Sequence, residues 1–561
     1  MSTASGAAPP RRRARALAFL ELERPDLIVL GLLLVTAFVF RFFSPLMPDF
    51  FTHPFDGPPI SDCVQSTPVD PQGHLGTLCG LNYPFQKGSG QPLQPPAGQI
   101  FDEIYFAVFA HNDLTGISYF DPEPPLSKEI MAVGEWSWGW FRATFQGARG
   151  SYADLGFTPF GWRIMSCLVG TLCVPMMYLL ARRLWSNRLF ATAAGVLTCF
   201  DGMFFVQSRI GMIDIFPIFL ILLSYFLFLL HWRSRTARES LVTLLLTGIA
   251  IGLAISAKWI SLAALGTMLF FLFMRFVRPW VGSLVGADAE QTDPERSRGW
   301  RWGAGEQTSV AGGVRWPVYL GAVIVCLALV PAGIYLASWF PFFQRGQFKS
   351  LADLVAYQHQ IFDYHAHLTA THPYGSAWFS WPFLYRPVAY YFEGAPGVNL
   401  GLDDYSGRPL VAGMIDLGNP WIWWSSIPCL LVLPYFIFRH RSFAASVIAV
   451  GFVTQFLPWA RITRVIFLYH MFGGLIFMIL ALAFVLAQIS LIPRLHLRLG
   501  RLRVSLSGRD LLVAHLVVAV LAFLYFYPVW TALPISDHAY LGYPAGEGGF
   551  PPAKMWFRSW I

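Results

Sequence analysis

The chain has 561 residues, of which 55% are hydrophobic and 13% are charged, and its formal net charge is +8. An average soluble domain carries about 25% charged residues, so this composition excludes an ordinary soluble protein and indicates many membrane spans. The positive charge does not indicate nucleic-acid binding, because the basic residues lie in short blocks beside hydrophobic segments.

Eleven hydrophobic segments approach the roughly 20 residues that a helix needs to cross a bilayer. The predicted spans are 26–43, 160–181, 188–207, 211–232, 241–257, 259–276, 316–338, 419–438, 443–460, 466–487 and 511–528. They predict an all-α polytopic membrane protein with a tail at 1–25, a transmembrane catalytic domain at 26–528 and a second tail at 529–561. The apolar run of the first span is too long for a cleaved signal peptide.

Alternation of these spans places every strongly basic segment on one side of the membrane. The basic blocks lie at 11–15, 182–188, 233–238, 275–301, 439–441 and 494–509. Because basic loops stay in the cytoplasm, we expect the N-terminus inside, and the tail at 529–561 outside. The long loops 44–159 and 339–418 are then also outside. If the short third or fifth predicted span did not cross the membrane, the later basic loops would lie outside.

The first outer loop contains two adjacent acids, Asp102 and Glu103, in the apolar sequence FDEIYF. The Trp-rich stretch 129–145 that follows is typical of the membrane interface, so we expect interfacial helices here and the acids near the lipid surface. A carboxylate in that setting can act as a general base. Cys63 and Cys79 share this loop and could form a disulfide if the outer compartment is oxidising, and the sequence leaves both states open.

Cationic residues recur at the outer ends of the predicted spans, together with a few other polar side chains. The cations are Lys128, Arg163, Arg209, Lys258, Arg461 and Arg464, and the other polar candidates are Asp214, His359, Tyr469 and His470. Transfer of a sugar from a polyprenyl phosphate needs cations for the charge that grows on the leaving phosphate, and a base for the acceptor hydroxyl. A glycosidase would instead need two carboxyl groups flanking the scissile bond.

These residues also have structural interpretations. Arg and Lys near helix ends often extend to lipid headgroups, and Asp102 with Glu103 could be a solvated pair or a helix N-terminal charge. Asp214 could cap the helix that follows it. Four histidines close in sequence suggest a metal site, namely His359, His365, His367 and His372. No carboxylate pattern supports a metal, so interfacial or phosphate contacts are favoured. No metal site is predicted, and a divalent ion stays an open alternative.

The chain resembles the protein O-mannosyltransferases, membrane enzymes that use a polyprenyl- or dolichyl-phosphate mannose donor. The resemblance rests on sequence blocks in the family's order. They are FDEIYF (101–106), YFDPEPPLSK (119–128), CFDGMFFVQSRIGMID (199–214), GLAISAKWISL (252–262), HQIFDYHAHLTATHPYGSAWFSWPFLYRPVAYY (359–391), RVIFLYHMF (464–472), FYPVWTALPIS (526–536) and MWFRSWI (555–561). The chain departs from the family at Glu123, where a His usually precedes the two prolines.

The resemblance implies an eleven-helix membrane glycosyltransferase fold of the GT-C type and an inverting reaction. It implies that Asp102 is the base for a Ser or Thr hydroxyl of an exported protein and that Glu103 helps to bind acceptor or donor. Lys128, Arg163 and the segment 461–470 would hold the lipid phosphate. The lipid-linked sugar is the expected partner, with no other cofactor, and membrane lipids and the secretion translocon are further candidates.

Because no β-rich domain interrupts 339–418, the resemblance is to the bacterial form, and we expect the bacterial plasma membrane. Two alternatives stay open at this point. One is transfer of another sugar, or transfer to a lipid or glycan. The other is a transporter of lipid-linked sugars, which the clustering of charges at one face disfavours, because a transporter places its site near the midplane. A non-catalytic scaffold would leave those charges unexplained.

Overall fold

The computed structural model describes residues 22–43, 77–78, 81–82, 100–285, 314–393, 410–493, 495–499, 502–533, 535–542 and 553–561. Within these residues, ten helices are long and apolar enough to cross a membrane. They are Arg24–Phe42, Pro159–Leu184, Ile215–Trp232, Ala237–Ala257, Trp259–Val277, Trp316–Gln344, Pro420–His440, Phe443–Arg461, Leu468–Ile489 and Gly508–Thr531. They correspond to ten of the eleven predicted spans, and the mostly helical membrane architecture is confirmed.

The remaining predicted span, 188–207, forms two shorter helices, Arg188–Cys199 and Gly202–Gln207. The buried Asp201 separates them, because its Oδ1 caps the second helix by accepting a hydrogen bond from Phe204 N at 3.1 Å. Its Oδ2 accepts from Trp423 Nε1 at 2.8 Å. A buried carboxylate needs such partners, so the helix is interrupted where Asp201 lies. The count of eleven crossings stays a prediction.

Several segments predicted to be cytoplasmic meet at one end of the helical bundle. The buried Asp26 accepts a hydrogen bond from Arg182 Nε at 3.0 Å, and Arg233 Nη2 donates to Leu184 O at 3.2 Å. Arg233 follows the Ile215–Trp232 helix, whose 18 residues separate its two ends by about 27 Å. The opposite end of that helix begins beside the candidate site described below.

Further helices lie outside the membrane-crossing ones, at Glu103–Thr115, Leu126–Phe145, Tyr152–Gly156, Leu351–His367 and Asp537–Leu541, with 3₁₀ turns at Trp378–Phe383 and Arg558–Trp560. Within the membrane-crossing segments, Trp259–Ser261, Leu457–Arg461 and Leu468–Met471 are 3₁₀ turns, and Phe340–Gln344 is a separate short helix. The Leu126–Phe145 helix buries Met131 and Glu135 on one face and exposes Trp136, Trp140 and Phe145 on another. This amphipathic pattern is typical of a helix in the membrane interface.

The sequence analysis did not predict a three-stranded antiparallel sheet, which lies beside the segment of Phe101 and Asp102. Strand Val388–Glu393 pairs with Leu410–Asp416, which also pairs with Ile535–Ser536. The sheet therefore joins the second long loop to the C-terminal segment. Two further strand pairs are Thr77–Leu78 with Leu81–Asn82, and Leu495–Leu499 with Leu502–Leu506.

Candidate active site

Asp102 lies immediately before the Glu103–Thr115 helix, at its positive end. The preceding residue, Phe101, has φ +42°, an uncommon conformation for a residue with a side chain, and its N–H donates to Tyr390 O at 3.0 Å. The sheet strand that contains Tyr390 thus fixes the backbone next to Asp102. Such a strained conformation persists only where the surrounding structure holds it in place, and strained residues of this kind cluster at functional sites.

The Asp102 carboxyl is ready to exchange a proton near neutral pH. Burial raises its pKa from the usual 3.8 to about 6, while the charge of Lys258 opposes the rise and that of Asp214 adds to it. The carboxylate does not cap its own helix, and none of the described residues donates a hydrogen bond to it. A carboxyl with a raised pKa and uncommitted lone pairs has the properties of a general base.

Glu103, the neighbour of Asp102, is committed to Arg163 in a buried bidentate ion pair. Its Oε1 accepts from Arg163 Nε at 2.5 Å and its Oε2 from Arg163 Nη2 at 2.6 Å. Trp162 Nε1 and Gly211 N also donate to Oε1, at 3.1 and 2.6 Å. These bonds join the start of the Glu103–Thr115 helix to the segment of Trp162 and Arg163 and to Gly211, next to Asp102. The geometry favours a positioning role for Glu103 and Arg163 rather than the predicted contacts with acceptor or lipid phosphate.

Lys128 is also fully engaged within the protein. Its Nζ lies 2.5 Å from Asp121 Oδ2 and donates to Glu123 O at 3.1 Å and to Pro124 O at 2.5 Å. An ammonium group has three N–H donors, and all three are used here. Lys128 therefore closes the YFDPEPP loop on itself, which favours a structural role over the predicted contact with the lipid phosphate.

Lys258 and Asp214 form the centre of the candidate site. Lys258 Nζ donates to Asp214 Oδ1 at 2.7 Å and lies 3.8 Å from Glu123 Oε1. The side chain of Asp214 does not cap the helix that follows, so the structural alternative raised from the sequence does not apply. The hydroxyl of Ser127 holds these segments together, since it lies 3.3 Å from Ile213 O and 3.1 Å from Ala257 O.

Several cations surround Glu123 and stabilise its negative charge. Burial, the strongest single influence, raises the pKa of Glu123, but the combined effect of the nearby cations lowers it below its usual value. In order of strength the basic side chains responsible are Lys258, His365, Lys128 and Arg464, and His365 acts on Glu123 only in its protonated form. The sequence analysis noted Glu123 only as a departure from the family, whereas the structure places it inside the site.

Aromatic side chains form the wall opposite the helix of Asp102. Tyr469 is buried, its ring stacks on His470 with centroids 4.6 Å apart, and it approaches Phe101 at 6.5 Å. His470 in turn meets Trp459 at 4.5 Å and accepts a hydrogen bond from Phe467 N at Nδ1. Asp102, Asp214 and Arg464 all lie within electrostatic range of Tyr469, so the predicted residues Tyr469 and His470 do join the site.

Most of the chain matches one known protein family. A family described as dolichyl-phosphate-mannose-protein mannosyltransferase matches residues 92–345, and the C-terminal four-transmembrane region of protein O-mannosyltransferase matches residues 350–543. The chain belongs to the protein O-mannosyltransferase family. The predicted family and enzyme class, a membrane mannosyltransferase, are therefore confirmed.

Two bacterial relatives are named polyprenol-phosphate-mannose--protein mannosyltransferase. The protein from Corynebacterium glutamicum is 26% identical over 526 residues, covering 82% of this chain and 88% of its own length. The protein from Mycobacterium tuberculosis is 25% identical over 512 residues, covering 82% and 86%. The S. cerevisiae protein O-mannosyltransferase Pmt1–Pmt2 complex bound to the sugar donor matches with a TM-score of 0.62 and 14% identity, covering 93% of both chains. This match confirms the predicted GT-C fold.

Some of the residues that were predicted from the sequence of this protein O-mannosyltransferase lie away from the site. His359 is on the exposed face of the Leu351–His367 helix, and Arg461 is exposed at the end of its 3₁₀ turn. Arg209 is buried with its guanidinium 5.2 Å from the ring centroid of Phe205. Cys63 and Cys79 lie outside the described residues. Among the residues described, no group of three or more His, Cys, Asp or Glu side chains could hold a metal ion.

The sequence analysis included His365 in the histidine-rich stretch 359–372 but chose His359 as the site residue, whereas the structure brings His365 to the site and leaves His359 exposed. The buried side chains of the Leu351–His367 helix are Leu354, Tyr357 and Ile361, and the same spacing leads next to His365. Residues three or four apart share a face of a helix, so this stripe could have identified His365 from the sequence. His359 falls two residues from both Tyr357 and Ile361, on the opposite face.

Proposed function

We propose that this protein O-mannosyltransferase moves mannose from polyprenyl-phosphate mannose to Ser or Thr hydroxyls of exported proteins, with inversion at the anomeric carbon. In this reaction the acceptor oxygen forms a bond to C1 of mannose as the bond from C1 to the phosphate oxygen breaks. The hydroxyl proton passes to Asp102, and polyprenyl phosphate leaves with one more negative charge. The family and the names of the bacterial relatives support the donor and the acceptor.

The observation that carries the proposal is the Asp102 carboxyl. It has no committed hydrogen bond among the described residues, it has a pKa of about 6, and it faces a cluster that contains Lys258, Asp214 and Tyr469. A base with a pKa slightly below the working pH is mostly ionised and still accepts a proton efficiently. Glu103 beside it cannot serve in the same way, because Arg163, Trp162 and Gly211 already use its oxygens.

Arg464 is the side chain best placed to receive the leaving phosphate. It is half-buried and within electrostatic range of Glu123, Lys258 and His365, and no hydrogen bond or ion pair with another described residue occupies its guanidinium. Lys258 shares its charge with Asp214 and Glu123. A guanidinium can bind phosphate through two parallel N–H groups. We therefore assign the main phosphate contact to Arg464 and a supporting charge to Lys258.

The location of the site supports an enzyme of the bacterial plasma membrane that works on its outer face. The Arg182 and Arg233 segments meet at one end of the bundle, and Asp214 lies at the other end of an 18-residue helix. With the basic end in the cytoplasm, the site opens outside, where exported proteins emerge. Membrane lipids and the secretion translocon are the neighbours expected for such a site.

The proposal is tested with purified full-length protein, polyprenyl-phosphate mannose and a Ser/Thr-rich peptide. We expect a mannosylated peptide whose sugar an α-mannosidase removes. Asp102→Asn should lower kcat by about 10²–10⁴, the usual contribution of a general base, and leave donor affinity nearly unchanged. Asp363→Asn, an exposed acid on the Leu351–His367 helix, is the matched control. Absence of transfer by wild type would contradict the acceptor class, and full activity of Asp102→Asn would contradict the base assignment.

A further inference from the structure

His365 reaches the candidate site from the second long loop. It lies near the C-terminal end of the Leu351–His367 helix, and its Nε2 is 2.9 Å from Pro122 O in the YFDPEPP loop. The charges of Glu123 and Arg464 act on its ring most strongly among the nearby groups. His365 is therefore close to the residues that surround the proposed phosphate contact.

The contact with Pro122 determines which ring nitrogen carries the proton. A carbonyl oxygen can only accept a hydrogen bond, so Nε2 must be the protonated nitrogen. Burial lowers the pKa of His365, and the cations Arg464 and Lys258 add to this effect while Glu123 opposes it. The ring is consequently neutral near neutral pH, and its Nδ1 carries a lone pair that can only accept.

The Nδ1 atom is buried, and no described residue forms a hydrogen bond with it. A buried acceptor without a partner destabilises the protein, so a partner is expected in the working enzyme. That partner must donate a hydrogen, which excludes the phosphate oxygens. His365 is within electrostatic range of Arg464 and Lys258, so it can reach the groups bonded to the donor phosphate. Of these groups the polyprenyl chain has no O–H or N–H, whereas the sugar has hydroxyls that can donate to Nδ1.

We propose that Nδ1 of His365 accepts a hydrogen bond from one hydroxyl of the donor sugar and so helps to select the sugar that is transferred. This inference rests on the proposed function, because it needs a lipid-phosphate sugar donor in the site. It assigns His365 to sugar recognition, and it leaves proton removal from the acceptor to Asp102.

The experiment compares the full-length wild type with His365→Gln on a set of donors. Gln can keep an N–H near the Nε2 position for Pro122 O, but it has no acceptor at the Nδ1 position. The donors are polyprenyl-phosphate mannose and its 2-, 3-, 4- and 6-deoxy analogues. For wild type we expect one deoxy donor to lose about tenfold or more in kcat/KM, since its hydroxyl no longer satisfies Nδ1.

For His365→Gln we expect a similar loss on the mannose donor and little further loss on that same deoxy donor. The other three analogues should show equal ratios in both proteins. His367→Gln is the matched control, because this His is exposed and, among the described residues, its ring bonds the Asp363 carbonyl of its own helix and nothing else. A purely structural role of His365 would lower activity equally for all donors and would lower the melting temperature of the variant.

Two results would overturn the inference. In the first, His365→Gln discriminates among all four deoxy donors as wild type does. In the second, its loss depends on whether the acceptor is Ser or Thr and not on the donor, which would place Nδ1 against the acceptor. Failure of the proposed function looks different, because wild type itself would then transfer no mannose from the undeoxygenated donor.

Discussion

The Lys258 ammonium donates a hydrogen bond to Asp214 Oδ1 at 2.7 Å, although 44 residues separate the two in sequence. Both charges act on Asp102, and they act in opposite directions on the pKa of its carboxyl. The two charges therefore oppose each other at Asp102, and burial is the largest cause of the raised pKa.

The activity should depend on the ionisation of Asp102. The base must be deprotonated to accept the hydroxyl proton, and burial raises its pKa to about 6. Activity is thus expected to be present above this value and to be lost as the pH falls through it. Initial rates of kcat/KM, measured from about pH 5 to about pH 8 at constant ionic strength, should show one acid limb near pH 6. A limb near the ordinary pKa of an aspartate would show that Asp102 is not buried in the working enzyme.

Substitutions in the Lys258–Asp214 pair should move this acid limb in opposite directions. Asp214→Asn removes a negative charge, so the pKa of Asp102 should fall and the limb should move to lower pH. Lys258→Met removes a positive charge, and the limb should move to higher pH. Each shift is expected to be at most about 1–3 units, the size found for a charge directly beside a carboxyl group. A shift of the same sign in both variants would indicate a structural disturbance and contradict the electrostatic account.

Much of the fold could be predicted from the sequence because a bilayer imposes a simple requirement. An apolar run of about 20 residues without charge has few alternatives to a membrane helix, and ten of the predicted spans appear with ends within a few residues. The 188–207 segment differed because Asp201 needs hydrogen bonds that a continuous helix does not provide. The sheet was missed because its strands pair across distant segments such as Leu410–Asp416 and Ile535–Ser536.

The members of the candidate site were easier to predict than their partners. The predicted topology placed Asp102, Arg163 and Lys128 near the outer face, and the high cost of charge in so apolar a chain marked them as candidates. Neither could indicate that Arg163 would meet Glu103 across 60 residues, or that Lys128 would bond the carbonyls of its own loop. A cation beside a membrane site can bind substrate or hold the fold together, and only its contacts distinguish these roles.

The Glu103–Arg163 ion pair should contribute mainly to stability. Arg163→Ala leaves the Glu103 carboxylate buried with only the Trp162 and Gly211 N–H groups as donors, and removal of one partner from a buried pair costs about 3–5 kcal/mol. We expect a lower melting temperature in detergent and similar losses with donor and with acceptor. The double variant Glu103→Gln with Arg163→Met should be more stable than Arg163→Ala alone. A stable Arg163→Ala protein with only a raised donor KM would instead support a contact with the lipid phosphate.

Arg464 and Arg461 provide a matched pair for testing the phosphate contact. They carry the same side chain three residues apart, but Arg464 is half-buried among Glu123, Lys258 and His365, whereas Arg461 is exposed. A hydrogen bond to a charged group contributes about 1.5–3 kcal/mol, so Arg464→Gln should raise the donor KM by roughly 10- to 100-fold. Arg461→Gln should change it by no more than about twofold, as expected for an exposed charge that can reach lipid headgroups. Donor KM is measured at saturating peptide for both variants, and peptide KM at saturating donor serves as the control. Equal effects of the two substitutions would assign both arginines to the membrane surface, and Lys258 would then be the remaining cation for the phosphate.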